Sequence, residues 1–354
     1  MSTGLDNLSP GLDPCVGARP LASANLAAAC VAQGAPVSAI GTIPEPSAGQ
    51  PNVTGGGSPT ILPEKADTYT LGVVVQPRGI VPGLSIAVDY FNIKVKNAIT
   101  SATPADILSE CFGNTPSAIT AAQAASASCT GIRRNATNGG LSGSSATVAG
   151  LPQPLTNRGR LRTDGIDLNA NYARDFGDVG LNLGFQGTWT AHSYFRASPT
   201  AYDRDCVGYY STSCQSIQPE FQWNQRTSLT FGPATLSLLW RHIGKVRYEA
   251  LAPDAVQRQV TTPLFSGVVT GPTPLAGGTY NFNQIKAYNY LDLTAQIEVN
   301  DHLTFTAGVR NLLDKKPPLV GSTAGSTAYN SGNTYPSTYD VLGRLFTVSG
   351  KLRF

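Results

Sequence analysis

The amino-acid sequence predicts an all-β fold: an antiparallel up-and-down transmembrane β-barrel segment of about nine strands, incomplete as it stands. Three observations carry that expectation. Apolar and polar residues alternate with period two over nine stretches, which sets them on opposite faces of a sheet. The connections run short, long, short, long throughout, as in a barrel with tight turns on one side of a membrane and large loops on the other. No run of eighteen apolar residues occurs, so no spanning helix is encoded, whereas a barrel strand needs only about ten alternating residues.

Met1 to Pro63 is rich in Gly, Pro, Ala and Ser without a sustained period and reads as a long connection. Strand signals begin near Asp67, where Tyr69, Leu71, Val73 and Val75 alternate with more polar neighbours. After a short turn, Leu84, Ile86, Val88 and Tyr90 do the same. Beyond Tyr90 the parity is disturbed, since Ile93 and Val95 are apolar at odd positions; a bulge or a change of environment would do this. Ala98 to Thr156 is a second long connection. Within it, Pro104 to Glu110 behind Thr103 has the signature of a short capped helix, and the Ala-rich Ser117 to Ser128 of another.

Ile166, Leu168, Ala170 and Tyr172 alternate with Asp167, Asn169 and Asn171, and the tight turn Asp175 to Asp178 leads into Leu181, Leu183, Phe185 and Trp189. Ala197 to Pro219 is a cysteine-bearing loop. Phe221, Trp223, Leu229 and Phe231 follow, then the turn Gly232-Pro233, then Ala234, Leu236, Leu238 and Trp240. Glu249 to Asn283 is again a loop. The last three stretches are Leu291 to Val299, Leu303 to Arg310 and Phe346 to Phe354. Aromatics gather at strand ends: Tyr69, Tyr90, Trp189, Trp223 and Trp240 towards the long loops, Phe176, Phe231 and Phe354 towards the turns. Two such belts are what a bilayer interface selects, although a soluble sandwich would hold the same residues as core.

Composition narrows the partners. Of 354 residues 13% are charged and the net charge is +3, so nothing favours nucleic acid. Six cysteines fall in three close pairs, Cys15 with Cys30, Cys111 with Cys129 and Cys206 with Cys214. Their spacing suits local disulfides in an oxidising compartment; unpaired or differently paired thiols are the rival, and metal binding lacks nearby histidines or a C-x-x-C. Met1 to Pro10 is no secretory signal, so export chemistry without a leader leads us to expect further sequence upstream. An open sheet edge in lipid is costly, which again implies additional strands.

Four segments stand out: Leu62 to Gly72 at a strand entry, Asp89 to Asn97 in the next strand, Gly308 to Pro318 near the penultimate strand, and Tyr339 to Arg344 before the closing strand. Together they resemble the C-terminal portion of proteobacterial TonB-dependent outer-membrane receptors. The cysteine-bearing stretch Pro104 to Arg133 is similar as well. The resemblance implies a 22-stranded barrel around an N-terminal plug, energised by the TonB complex and importing a small-molecule or oligosaccharide solute across the outer membrane. It implies no enzyme and no cofactor. On this reading residues 1–63 are an extracellular loop region with a Cys pair, and 64–354 are barrel wall with long outer loops. Plug, TonB-contacting segment and first strands have no counterpart here. Phe354 and its alternating partners resemble the signal read by the outer-membrane assembly machinery.

The polar-face residues Asp167, Asn169, Asn171, Gln186, Gln222, Asn224, Arg226, Asp292, Gln296, Glu298 and Arg310 would line a hydrated lumen and touch a plug or solute; a merely solvated face is the alternative. Arg158, Arg160 and Arg162 share parity with Ile166 and Leu168, so they would point outward to outer-membrane lipid and pair with lipopolysaccharide phosphates, unless a bulge at Gly165 turns them inward. Tyr209, Tyr210, Tyr280, Tyr329 and Tyr335 would stack on a ligand or simply pack the loops. Asp203 and Asp205 beside Cys206 could hold a cation through their carboxylate oxygens, but two carboxylates in a loop make no metal-site pattern. No catalytic motif occurs, and His192, His242 and His302 stand alone. Other functional classes are a porin or autotransporter translocator, which would lack the quoted motifs, and a secreted carbohydrate-binding or hydrolytic β-sandwich.

Overall fold

The computed structural model describes the chain except for residues 1, 9, 200, 212, 215–216, 256–261 and 322–333. Nine strands form one continuous antiparallel meander: β1 (Lys65–Val75), β2 (Leu84–Thr100), β3 (Thr156–Phe176), β4 (Val179–Arg196), β5 (Phe221–Phe231), β6 (Ala234–Ile243), β7 (Tyr288–Asn300), β8 (Leu303–Arg310) and β9 (Leu345–Leu352). Each pairs with its neighbour in sequence, and β1 and β9 form the two edges. The Gly177-Asp178 and Gly232-Pro233 turns are two residues long, which holds register across them.

The apolar rows have no second layer against them among the described residues. Leu71 is 75% exposed, Phe346 68% and Val348 80%, where the core of a sandwich would be dry. That removes the sandwich alternative. The hydrophobic cores lie instead in the long connections. One lobe joins residues from the first 53 positions with residues 105–151: Leu26, Ala29, Ile43, Ile107, Leu108, Phe112, Ile132 and Leu151 are all buried there. Residues 1–63, expected to be irregular, contribute the helix α1 (Ala24–Ala32) to this lobe. It buries Leu26, Ala29 and Cys30 on one face, a stripe that its many alanines hide in the sequence because they stand on the buried and exposed sides alike. Helix α2 (Pro104–Phe112) starts at a capping box between Thr103 and Asp106. The Ala-rich stretch after it breaks into two single-turn helices, Ala121–Ala124 and Ala127–Thr130.

Disulfides join Cys15 to Cys30 and Cys111 to Cys129 in this lobe, and Cys206 to Cys214 in the loop after β4. At the centre of the lobe, the Arg134 guanidinium donates two hydrogen bonds to the Asp13 carboxylate, both at 2.8 Å, with both side chains fully buried. A second lobe over β5 to β9 is built on tyrosine: Tyr210, Tyr248, Tyr290, Tyr335 and Tyr339 are buried with Val246, Ile285 and Val320.

The disturbed parity of β2 has a clear cause. Its pairing with β1 and with β3 runs unbroken to Lys96, so no bulge intervenes at Tyr90. Beyond that level the environment inverts. Ile93 and Val95 remain on the polar face but are half-buried and line a cavity together with Cys206, Cys214 and Gln218 of the loop after β4, while Asn92, Lys94 and Lys96 continue the apolar face above the band. The neighbouring β3 changes at the same level, from Ile166 to Asp164, Arg162 and Arg160.

Candidate functional site

Cross-strand pairing puts the polar residues in rows. Asn169 stands opposite Gln186, Gln186 opposite Asn224, and Asn224 opposite Arg241, across four successive strands. Asp167 accepts a hydrogen bond from the Thr188 hydroxyl at 2.7 Å, and Thr188 faces Gln222. Asn171 and Arg226 both stand opposite Gly184, with nothing bulky between them. Gln296 pairs with Thr235 and Thr306, and Glu298 with Thr304, nearer the turns. All eleven residues expected on the polar face thus share one surface by register.

At the loop end this surface closes into a charged knot. Arg241 donates to Asp292 through Nε at 2.8 Å and through Nη2 at 3.1 Å, and its Nη2 also reaches Asp340 at 2.7 Å. Arg310 donates to the other oxygen of Asp340 at 2.6 Å. Two cations against two carboxylates leave the knot neutral. Beside it lies a cleft of about 400 Å³, lined by Gln186, Thr188, Gln222, Asn224, Arg241 and Thr338. Beside the apolar Ile217 and Ile243 and the rings of Trp223 and His242, its amides, hydroxyls and one neutralised guanidinium offer many hydrogen-bonding groups, which suits a polar solute with some apolar surface. Arg241 and Asp340 were not among the expected site residues. Strand parity points to Arg241; Asp340 comes from a loop, and no periodicity could have placed it.

The two terminal motifs interlock next to this knot. Asn311, fully buried, accepts from the Lys315 amide at 2.8 Å and donates to the Lys315 carbonyl at 3.0 Å. Its own amide donates to Asp292. Asp314 accepts from the Arg344 amide at 3.0 Å and from Lys316 at 3.0 Å, which holds its carboxyl below the usual range. Gly343 sits at φ +75°, and a Cβ there would meet Asp314 Oδ1 at 2.6 Å, so glycine is required twice over.

Of the loop aromatics, Tyr210 and Tyr335 are buried and pack on each other edge to face. Tyr209 and Tyr280 are half-buried, and Tyr329 lies outside the described residues. Asp205 accepts from the amides of Ser193 and Val207, and no cluster of three or more metal-ligating side chains occurs among the described residues.

On the opposite face the aromatics form two belts. Ten residues separate Val179, in the row of Phe176 and Phe231, from Trp189. At about 3.3 Å per residue and a tilt of about 40°, that spans about 25 Å of membrane normal, the height of the apolar band of an outer-membrane barrel. The upper belt also reports the tilt. From Tyr69 on β1, past Tyr90, Trp189 and Trp223, to Trp240 on β6, it descends six residue rows over five strand steps, about 1.2 per strand. Strands about 4.8 Å apart and tilted by about 40° predict a descent of about 4 Å, again about 1.2 residues. Phe354, beyond β9, is fully exposed at the turn end. Two polar residues inside the band, Gln225 and Thr227, hydrogen-bond each other at 2.8 Å and so avoid facing hydrocarbon unpaired.

A wall apolar outside, polar inside and belted at both rims is that of a transmembrane β-barrel. The profile of the family described as "TonB dependent receptor-like, beta-barrel" matches residues 20–312, and the chain belongs to that family. None of the curated proteins compared with it matches. Similar solved structures include a mutant of the ferric enterobactin receptor of Pseudomonas aeruginosa, at 16% identity and a TM-score of 0.45 over 82% of this chain and 31% of that one. The siderophore receptor PirA of Acinetobacter baumannii follows at 14% identity and a TM-score of 0.45, covering 86% and 34%. The FrpB iron transporter of Neisseria meningitidis stands at 13% identity and a TM-score of 0.42, covering 84% and 32%. The chain spans about a third of the length of each of these.

Proposed function

We propose that these nine strands and their loops form barrel wall and outer mouth of an outer-membrane receptor that imports a polar small-molecule solute, driven by the TonB complex. The observation that carries this reading is the two-faced wall. Its outward band is about 25 Å high and belted with aromatics, while its inner face is lined by amides and closed above by the cleft at Arg241. Family membership supports it. Strands that close the barrel, and a plug touching the inner row of Asn169, Gln186 and Asn224, complete the receptor in this proposal. The similar structures named above include receptors and transporters of iron and its chelates; such chelates, cobalamin and oligosaccharides are the solutes to test. Hydrogen-bond-rich lining favours a solute with many hydroxyl or carbonyl groups.

The experiment is TonB-dependent uptake of a labelled panel of those three solute classes by cells carrying the chain within its full-length gene. Replacing both Gln222 and Asn224 by alanine is expected to raise the half-saturating concentration for the accepted solute several-fold with little change in the amount of barrel in the membrane. Uptake of that solute unchanged by the double replacement, or a chain recovered from cells as a water-soluble species without detergent, would overturn the reading.

A further inference from the structure

One part of the inner face is apolar. Phe91, Ile93 and Val95 hold successive inward positions on β2, and register sets Val95 beside Leu161 of β3 and Leu161 beside Phe195 of β4. None of these residues belongs to the core of either lobe. Leu161 is 38% exposed, and the others are half-buried. Facing neither lipid nor packed protein, they present to the mouth an apolar surface whose covering is favourable.

The backbone is adjusted to complete this row. Gly165 pairs with Thr190 while Asp164 pairs with His192, so the extra residue, Ala191, lies on β4. β3 runs on against β2 without a shift here, which keeps Arg160 and Arg162 outward and Leu161 inward. The bulge inverts the parity of β4 instead. Phe195, at an odd position like the lipid-facing Trp189, is thereby turned inward beside Leu161.

The row forms one wall of a cavity of about 560 Å³, and the loop after β4 forms another. That loop is pinned in place. Arg204 and Asp205 pair with Phe195 and Tyr194, and the Cys206 amide donates to the Ser193 carbonyl at 3.0 Å. The disulfide from Cys206 holds Cys214 at the cavity, and the Gly208 amide donates to the Gln218 carbonyl at 2.7 Å. A cavity with walls tied in this way is preformed. Its polar groups are the hydroxyls of Thr163, Ser193 and Ser213 and the Gln218 amide, all neutral. The one charged residue of the lining, Arg162, turns its guanidinium to the outward face, over the Tyr194 ring at 5.0 Å.

This cavity adjoins the cleft at Arg241. Gln218 lines the one, and Ile217, its neighbour in the chain, lines the other. Two compartments of opposite character therefore share the Ile217-Gln218 segment as a wall. We propose that the cystine-bound cavity is a specificity pocket for an uncharged apolar substituent of the imported solute, about the size of two fused aromatic rings, while the polar part of the same molecule occupies the Arg241 cleft. An enclosed cavity of about 150 Å³ takes a single benzene, and this larger one has room for two rings. The proposal rests on the reading of the mouth as a solute site. It narrows the solute to molecules bearing an aryl or acyl group, in preference to bare oligosaccharides.

The test adds naphthylmethanol, a neutral two-ring fluorescent probe, to phosphatidylcholine nanodiscs carrying the chain within its full-length gene product, and reads fluorescence anisotropy. Saturable binding is expected, above the linear partitioning into empty nanodiscs. Val95→Phe, which narrows the cavity, is expected to weaken binding at least about 10-fold, since one methylene of fit in an apolar pocket is already worth about that much. Val348→Phe, the same change on the lipid face of β9, is expected to leave binding unchanged. Should Val95→Phe fail to insert, Leu161→Trp serves in its place. The solute accepted in the uptake panel is expected to displace the probe, and a derivative stripped of its aryl or acyl group is expected not to. Absence of saturable binding, equal affinity in the two phenylalanine variants, or no displacement by the solute overturns the proposal. So does a probe that binds only once the plug is deleted, which would assign the cavity to a plug segment. Uptake indifferent to replacement of Gln222 and Asn224, with probe binding still lost in Val95→Phe, sinks the polar-cleft reading instead, so the two failures are distinguishable.

Discussion

Asp13 and Arg134 show how much rests on single residues in the outer lobe. Both charges are removed from water, and each is tolerable only because the other is present, with Gln33 accepting from Arg134 Nε at 2.7 Å. Replacing Asp13 by Asn leaves a buried guanidinium without its counter-charge. We expect a loss of about 3–5 kcal/mol in the stability of that lobe, read as early protease cleavage within the first 60 residues while the strands stay protected. Tyrosine offers a second measurement. Burial pushes the phenols of Tyr210, Tyr335 and Tyr339 well above the usual range. Their folded pKa values are raised, so the stability they contribute is complete below about pH 10, the unfolded value, and is lost as pH rises beyond it. In an alkaline titration followed by tyrosinate absorbance, these three of the 14 tyrosines should ionise late and together with loss of the loop fold.

At the scale of one strand, β6 carries both faces in adjacent positions. Leu236 looks outward, 42% exposed, about midway between Trp240 and the turn; Ser237 looks inward and hydrogen-bonds Ser228. Arginine at the middle of a lipid-facing band costs about 2–4 kcal/mol, and inside a hydrated lumen it costs little. Leu236→Arg should therefore lower the urea midpoint for folding into vesicles markedly, and Ser237→Arg should leave it nearly unchanged. Equal effects would mean that the two faces are not wetted differently. Strand existence, order and facing were legible in the sequence because period-two patterning maps directly onto the pleat. Strand length was less so. β3 and β4 extend to Thr156 and Arg196, far past the apolar rows at Ile166 and Trp189. Above the membrane the alternation reverses sense, and a pattern that reverses looks like one that has ended.

For the molecule as a whole, the loops carry a fold of their own. Two disulfides tie the lobe made from residues before β1 and residues between β2 and β3. Closing a 15-residue loop, as Cys15–Cys30 does, contributes about 3 kcal/mol by restricting the unfolded chain. Reduction, or replacement of both cysteines by serine, should loosen the lobe and expose α1 to hydrogen exchange while β3 to β7 keep their protection. Slowed exchange in α1 after reduction would count against the lobe as a cooperative unit. The link between the lobes is electrostatic: Arg204, almost fully buried in the loop after β4, donates to Glu249 at 2.7 Å and lies 4.0 Å from Asp106 of α2. Such long-range partners are 45 and 98 residues away in the chain, and no local pattern announces them.

By itself the sequence determined the wall: which nine stretches are strands, which way each faces, and where the tight turns fall. These follow from nearest-neighbour alternation and from turn residues, both local properties of the chain. Only the tertiary structure decided that the first 53 residues fold against the connection after β2, that Asp340 joins Arg241, Asp292 and Arg310, and that Val95, Leu161 and Phe195 line up across three strands. Each of those depends on register between distant segments, and register is set by the sum of many pairings and not by any one residue.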